Sequence, residues 1–188
     1  MFVMGNMGDI SKGEAMKPLL KRIGLISLLA VFLLCLVVVS AEAGQKEKFF
    51  ATKKYGPIIS RSIIYPGDMP KHEMVQLVRM DTVIRSSDPD YVGTEQWVFG
   101  QLNSIGGSGS HRGTVVDHLK TGDQAWGTFE GTHQTTVRDG GLWEFTGHGT
   151  VYWTGGTGKH ENAKGTTAYR IKGTPQEVLV DFEGEIEY

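Results

Sequence analysis

Histidine, carboxylate and arginine side chains are the groups in this chain able to move protons near neutral pH, and six histidines follow residue 70. His72, His111, His118, His133, His148 and His160 include no pair at the i, i+2 separation or at the wider spacing of a zinc signature, so no metal is expected. Asp88, Asp90 and Glu95 lack the regular oxygen-ligand spacing of a calcium loop and read as an aspartate-rich turn. The pair of interest is His133 and His148, each beside a Phe-x-Gly triplet and joined through the hairpin signal Asp139-Gly140-Gly141. By parity His133 shares a face with Phe129, whereas His148 lies opposite Phe145, so the two imidazoles are expected on different sides. On the parity opposite to His133, Glu130, His148, Tyr152 and Arg170 form a polar set. Such a set can tune pKa values for acid and base work, or can be a solvated outer face with ordinary cross-strand pairs, the reading we favour.

Strand aromatics supply the other candidate chemistry. In a small barrel the core side chains are also the cavity lining, so Trp97, Phe99, Phe129, His133, Phe145 and Phe182 are the expected ligand contacts. The ligand would be a small hydrophobic or aromatic molecule, with no cofactor. Nothing resembles a nucleophile–base signature, which leaves binding ahead of turnover.

These residues are carried by segments that alternate with period two and break every ten to fifteen positions at turn residues, with no sustained helical periodicity after Gly44. Strands are expected over residues 58–65, 73–85, 94–103, 114–120, 124–137, 142–153, 166–172 and 177–188. The last alternates most cleanly, with Val178, Val180, Phe182, Gly184 and Ile186 opposite Glu177, Asp181, Glu183, Glu185 and Glu187. Phe129-Glu130-Gly131, Phe145-Thr146-Gly147 and Phe182-Glu183-Gly184 each put a ring and a glycine on one face, a device that lets a strand bend beside a bulky group. Eight antiparallel segments with short links close into a β-barrel, with a β-sandwich as the alternative architecture.

The glycine loops Gly106-Gly107-Ser108-Gly109-Ser110-His111 and Gly155-Gly156-Thr157-Gly158-Lys159-His160 are near-copies. Neither is a phosphate cradle: His160 follows Lys159 where serine or threonine is required, Trp153 occupies the place of the earlier glycine, and no helix is expected next. The stretch Gly155-Gly156-Thr157-Gly158-Lys159-His160-Glu161-Asn162-Ala163-Lys164-Gly165-Thr166, flanked by Val151-Tyr152-Trp153 and Tyr169, resembles the turn of allene oxide cyclase barrels and dirigent proteins. It is also similar to uncharacterised secreted bacterial proteins of that calycin-like superfamily. The resemblance covers roughly the last third of the chain. It implies an eight-stranded antiparallel β-barrel with an apolar cavity, and a homo-oligomer, trimer or dimer. His160 departs from the pattern, which usually has an aromatic packing residue there, and no cyclase or dirigent catalytic residue maps onto this chain.

Of the 188 residues, those from Ile23 to Ala41 are uncharged and mostly apolar, preceded by Lys17, Lys21 and Arg22 and followed by the small-residue pattern Ala41-Glu42-Ala43. This is the make-up of a cleaved signal peptide, residues 1–43, with an uncleaved membrane anchor as the alternative. The single domain, residues 44–188, is then secreted or periplasmic, and meets a membrane only through its N-terminal segment. Cys35, the one cysteine, lies inside the apolar run, so the domain contains no disulfide. Its charge is mildly acidic with no basic stripe, which excludes a nucleic-acid partner. Three functions fit: a small-molecule binder, an isomerase or cyclase that holds a reactive intermediate, and a structural subunit of an envelope assembly.

Overall fold

The computed structural model describes residues 46–188; the apolar run, Cys35 and the Ala41-Glu42-Ala43 site lie outside the described residues. The described part is all-β apart from two single-turn 3-10 segments, with nine strands: β1 Lys46–Lys54, β2 Ile58–Ile64, β3 His72–Ser86, β4 Glu95–Ile105, β5 Ser108–His118, β6 Gln124–Val137, β7 Trp143–Gly156, β8 Lys164–Gly173 and β9 Val178–Glu187. Among the described residues no helix is long and apolar enough to cross a membrane.

All pairings are antiparallel, and from β3 to β9 each strand pairs with the next in sequence. Closure comes from β1, which pairs along its whole length with β9 and also with the C-terminal part of β3, Ala51 facing Ser86 and Lys54 facing Thr82. Eight strands therefore form the ring, and one continuous sheet replaces the two sheets of the alternative sandwich. The ninth strand is β2, which pairs with the N-terminal half of β3, from Ile58 opposite Arg79 to Ile64 opposite Met74. β1 and β2 thus share one edge of a single long strand.

The expected eight strands need two corrections. β1 was not expected, because its run Lys-Glu-Lys-Phe-Phe-Ala-Thr-Lys-Lys carries charge on both parities at its ends. β5 starts at Ser108, six residues before the expected Thr114, because Gly109 and Gly113 interrupt its inward-facing alternation. Between β1 and β2 the chain turns at Tyr55-Gly56-Pro57. A Cβ on Gly56 would overlap the Met80 carbonyl, and the Gly56 N–H donates to Asp81 Oδ1 at 3.1 Å, so glycine is what allows the break to sit against β3.

Inside the ring the packing is uneven. One end is filled by Phe49, Tyr91, Val83, Trp153 and Ile186, with Phe49 edge-on to Tyr91 at 5.3 Å and to Trp153 at 6.2 Å. Next to this plug lies an ion pair out of contact with water: Lys53 Nζ donates to Asp117 Oδ1 at 3.1 Å, and Gln96 Nε2 donates to the same oxygen at 3.0 Å. The ammonium also sits 4.6 Å from the Phe182 ring centre. The other end is left open.

Candidate functional site

A cavity of about 530 Å³ occupies the open end. Its walls are mostly apolar, built from Val75, Leu77, Val98, Leu102, Phe129, Trp143, Phe145, Ile171 and Val178, with Arg61, Glu73, Arg79, Ser104, His111, His133 and Thr135 as the polar exceptions. Ile58 and Arg61 of β2 border it, so the strand outside the ring forms part of its rim.

Along one wall runs a file of hydrogen-bonded polar groups from β4, β5, β6 and β8. Ser104 Oγ lies 2.6 Å from His133 Nε2, His133 Nδ1 lies 3.3 Å from His111 Nδ1, and His111 Nε2 lies 2.5 Å from Tyr169 Oη. Tyr169 Oη donates to the Glu130 carbonyl at 3.1 Å. The register explains the assembly. Gly109 pairs with His133 and Gly131 with His111, so the two histidines are diagonal neighbours on the inner face of β5 and β6. Tyr169 reaches them across β7 because Gly131 and Gly149 face each other in the ladder, and a Cβ on either would run into its hydroxyl. The Phe-x-Gly triplet at Phe129 therefore makes room for a neighbour's side chain, here one that completes a polar file.

The file has a direction. A carbonyl can only accept, so the Tyr169 proton goes to Glu130, and His111 Nε2–H must donate to Tyr169. His111 Nδ1 then accepts from His133 Nδ1–H, and His133 Nε2 accepts from the Ser104 hydroxyl. Both imidazoles are neutral, and burial favours this: it lowers the His111 pKa to about 4, with His133 adding to the effect, and lowers that of His133 as well. Burial likewise raises the Tyr169 pKa, keeping the phenol protonated. With all four imidazole nitrogens engaged, the group left to meet a ligand is Ser104 Oγ, which retains lone pairs to accept a hydrogen bond. The file can also reverse. The opposite tautomers satisfy the same contacts: with His111 protonated on Nδ1 and His133 on Nε2, each ring having exchanged its proton with water or ligand, Tyr169 turns from Glu130 to donate to His111 and Ser104 donates outward, with the same proton count and no net charge.

β3 contributes a second polar group to the cavity wall. Arg79 donates from Nε and one terminal nitrogen to both Asp81 oxygens, at 2.6 and 2.9 Å, while its guanidinium carbon lies 3.3 Å from the Tyr55 ring centre. Stacking and a bidentate pair hold the guanidinium still, and the Asp81 carboxylate balances its charge, so the cavity meets a fixed ion pair there.

The expected site residues divide three ways. Phe129, His133 and Phe145 line the cavity. Phe182 is buried beneath it, against Tyr169 at 5.8 Å, beside a void of about 50 Å³. Trp97 and Phe99 stand on the outer wall, stacked on each other at 6.4 Å, with Phe99 45% exposed. Their parity is the reverse of the expectation, because β4 turns Gln96, Val98 and Gly100 inward; the glycine that leaves space for the Phe129 ring is Gly113 of β5, where a Cβ would come within 2.7 Å of it. The polar set is on the outer wall too. Tyr152 Oη donates to Glu130 Oε1 at 3.1 Å, while His148 contacts Thr132 at 3.4 Å and pairs in register with Arg170. His133 and His148 do face opposite sides. Sequence reasoning missed His111, Ser104 and Tyr169. Starting β5 immediately after Gly106-Gly107 puts His111 on the parity of Val115 and Asp117 and would have revealed it.

His160, in the place of the usual aromatic residue, packs as one: it is fully buried, edge-on to Tyr188 at 4.9 Å and to Tyr91 at 5.8 Å. Neither of its ring nitrogens, nor the Tyr91 hydroxyl, has a hydrogen-bond partner among the described residues.

No family model and no curated protein matches the chain. Among solved structures the chain is similar to the pterocarpan synthase dirigent protein GePTS1, with a TM-score of 0.45 and 13% identity over 78% of this chain and 90% of that one.

Proposed function

We propose that the barrel binds a small, largely apolar or aromatic molecule bearing a polar group that meets Ser104. The observation that carries this is the cavity itself: about 530 Å³, walled by aliphatic and aromatic side chains, with a few convergent polar groups held in place by their own hydrogen bonds. Cavities of roughly 300–1,000 Å³ with this lining are the usual seats of small ligands. A hydroxyl or N–H on the ligand is recognised while Ser104 accepts, and a carbonyl is recognised when the file reverses. Native mass spectrometry of protein purified from its own host tests the reading. A retained adduct small enough for the cavity, lost on Leu102→Trp, supports it; a chain that takes up no apolar molecule from a panel of hydroxylated and carbonyl compounds rejects it.

The reversible file also favours a second reading, an isomerase or cyclase of the allene oxide cyclase barrel type. There the cavity holds a reactive intermediate, and Ser104, set as donor or acceptor by the tautomers of His133 and His111, positions its polar group. Catalysis would come from positioning, since neither imidazole is basic enough to keep a proton at neutral pH. Turnover that survives Ser104→Ala unchanged excludes this version. Export from the cytoplasm, by cleavage after Ala43 or with the segment retained as an anchor, belongs to the same proposal and is read by N-terminal sequencing of the exported protein.

A further inference from the structure

Exposed apolar side chains cluster on one side of the cavity mouth, at the β2–β3, β4–β5 and β6–β7 connections, whereas the β8–β9 loop, Thr174-Pro175-Gln176-Glu177, is mostly polar. Ile64 and Tyr65 at the end of β2, Met69 in the loop to β3, Ile105 before the β4–β5 turn, and Val137 and Leu142 around the β6–β7 hairpin are each between 45% and 72% exposed. The loops belong to one rim: the Gly106 N–H donates to the Lys71 carbonyl at 3.1 Å, and the Thr135 N–H to the Gly107 carbonyl at 2.8 Å. The opposite end of the barrel carries charge instead, with Asp88 and Asp90 both bridged to Lys159. At the mouth, Arg138 pairs with Glu144 at 2.7 Å, Lys54 with Glu177 at 3.6 Å and the Asp68 carboxylate with the His72 ring, while Lys71 is exposed beside them.

We propose that this rim docks on a lipid bilayer surface, so that the cavity takes up or delivers its ligand at the membrane; the ligand part of the inference rests on the binding function proposed above. Three observations select a bilayer as the occupant. The apolar groups stand at three separate strand ends and in the connections beside them, a relief that a fluid interface accommodates more readily than a flat protein face. Tyr65 combines a ring and a hydroxyl, the pairing enriched where hydrocarbon meets water. The apolar segment from Ile23 to Ala41 also routes the chain through a membrane, whether it is then cleaved off or retained, so a bilayer is the surface the domain first meets.

The test uses the full chain, purified from a host that exports it, with phosphatidylcholine vesicles whose acyl chains are brominated. Tyr65→Trp, at a position 66% exposed, reports on the rim and Phe50→Trp, 45% exposed on the flank, reports on the barrel wall. Quenching of the added rim emission without quenching at the flank, reduced by about tenfold in vesicle affinity on combining Val137→Ser with Leu142→Ser, is the expected result. Equal quenching at both positions, no quenching at the rim, or light scattering that shows two copies joined through these same residues overturns the docking. Displacement of a fluorescent apolar probe without vesicles separates the two claims. Probe binding with no rim quenching removes the docking alone, whereas no probe binding in the parent protein removes the cavity reading and the delivery role with it.

Discussion

His111 Nδ1 and His133 Nδ1 face each other at 3.3 Å inside the barrel, so one of the two nitrogens carries a hydrogen and the other does not. Protonating either ring places a charge where burial opposes it and breaks a file that ends on a carbonyl. The polar wall of the cavity therefore depends on two buried histidines remaining neutral.

Stability should then depend on pH with a defined sign. An unfolded histidine takes up a proton near pH 6.5, whereas His111 resists until about pH 4. Between those values the unfolded chain binds more protons, so stability is complete above about pH 6.5 and is lost as pH falls towards 4. His133 and His160, both shifted down by burial, act in the same direction. Thermal melts from pH 7 to pH 4 should show a falling Tm, and His111→Gln should flatten the fall. An unchanged slope in that variant would contradict the assignment.

The Lys53–Asp117 pair should be worth little as a pair and much as a partnership. Lys53→Met leaves the buried Asp117 carboxylate without its countercharge, with the Gln96 amide as its remaining donor, and should cost about 3–5 kcal/mol, whereas Lys53→Met with Asp117→Leu should recover most of that. Urea denaturation of the two variants measures the difference. A single variant no less stable than the double would show that the carboxylate finds another partner.

His160 fills an aromatic place with a ring whose nitrogens bond to nothing among the described residues. His160→Phe should raise stability by about 1–2 kcal/mol, because it removes a desolvated polar group while keeping the edge-on contacts to Tyr188 and Tyr91. A lower Tm would mean that the nitrogens are satisfied in solution.

Ligand retention should separate the two walls of the sheet. Leu102→Trp fills the cavity and should weaken binding of an apolar probe by about tenfold or more, equivalent to about 1.4 kcal/mol. Arg170→Ala and His148→Ala remove outer-wall groups and should change neither retention nor stability by more than about 0.5 kcal/mol. Loss of probe on either outer substitution would return the polar set to the binding site.

Local alternation was enough to read the chain as an all-β domain, to place β9 and β6 with their inner and outer faces, and to send His133 and His148 to opposite sides. These features depend only on the period of a strand and the residues of a turn. Tertiary structure alone decided the rest. β1, charged at both ends, is a strand because β9 and β3 each offer it an open edge, and this pairing closes the ring and buries Lys53 against Asp117. Trp97 and Phe99 lie outside because the pairing of β4 with β3 and β5 turns Gln96, Val98 and Gly100 inward. Ser104, His133, His111 and Tyr169 come from four strands, and their meeting is set by register and by two facing glycines. Hydrogen bonds between neighbouring strands impose that order, and residues far apart in sequence carry no mark of it until the sheet has closed.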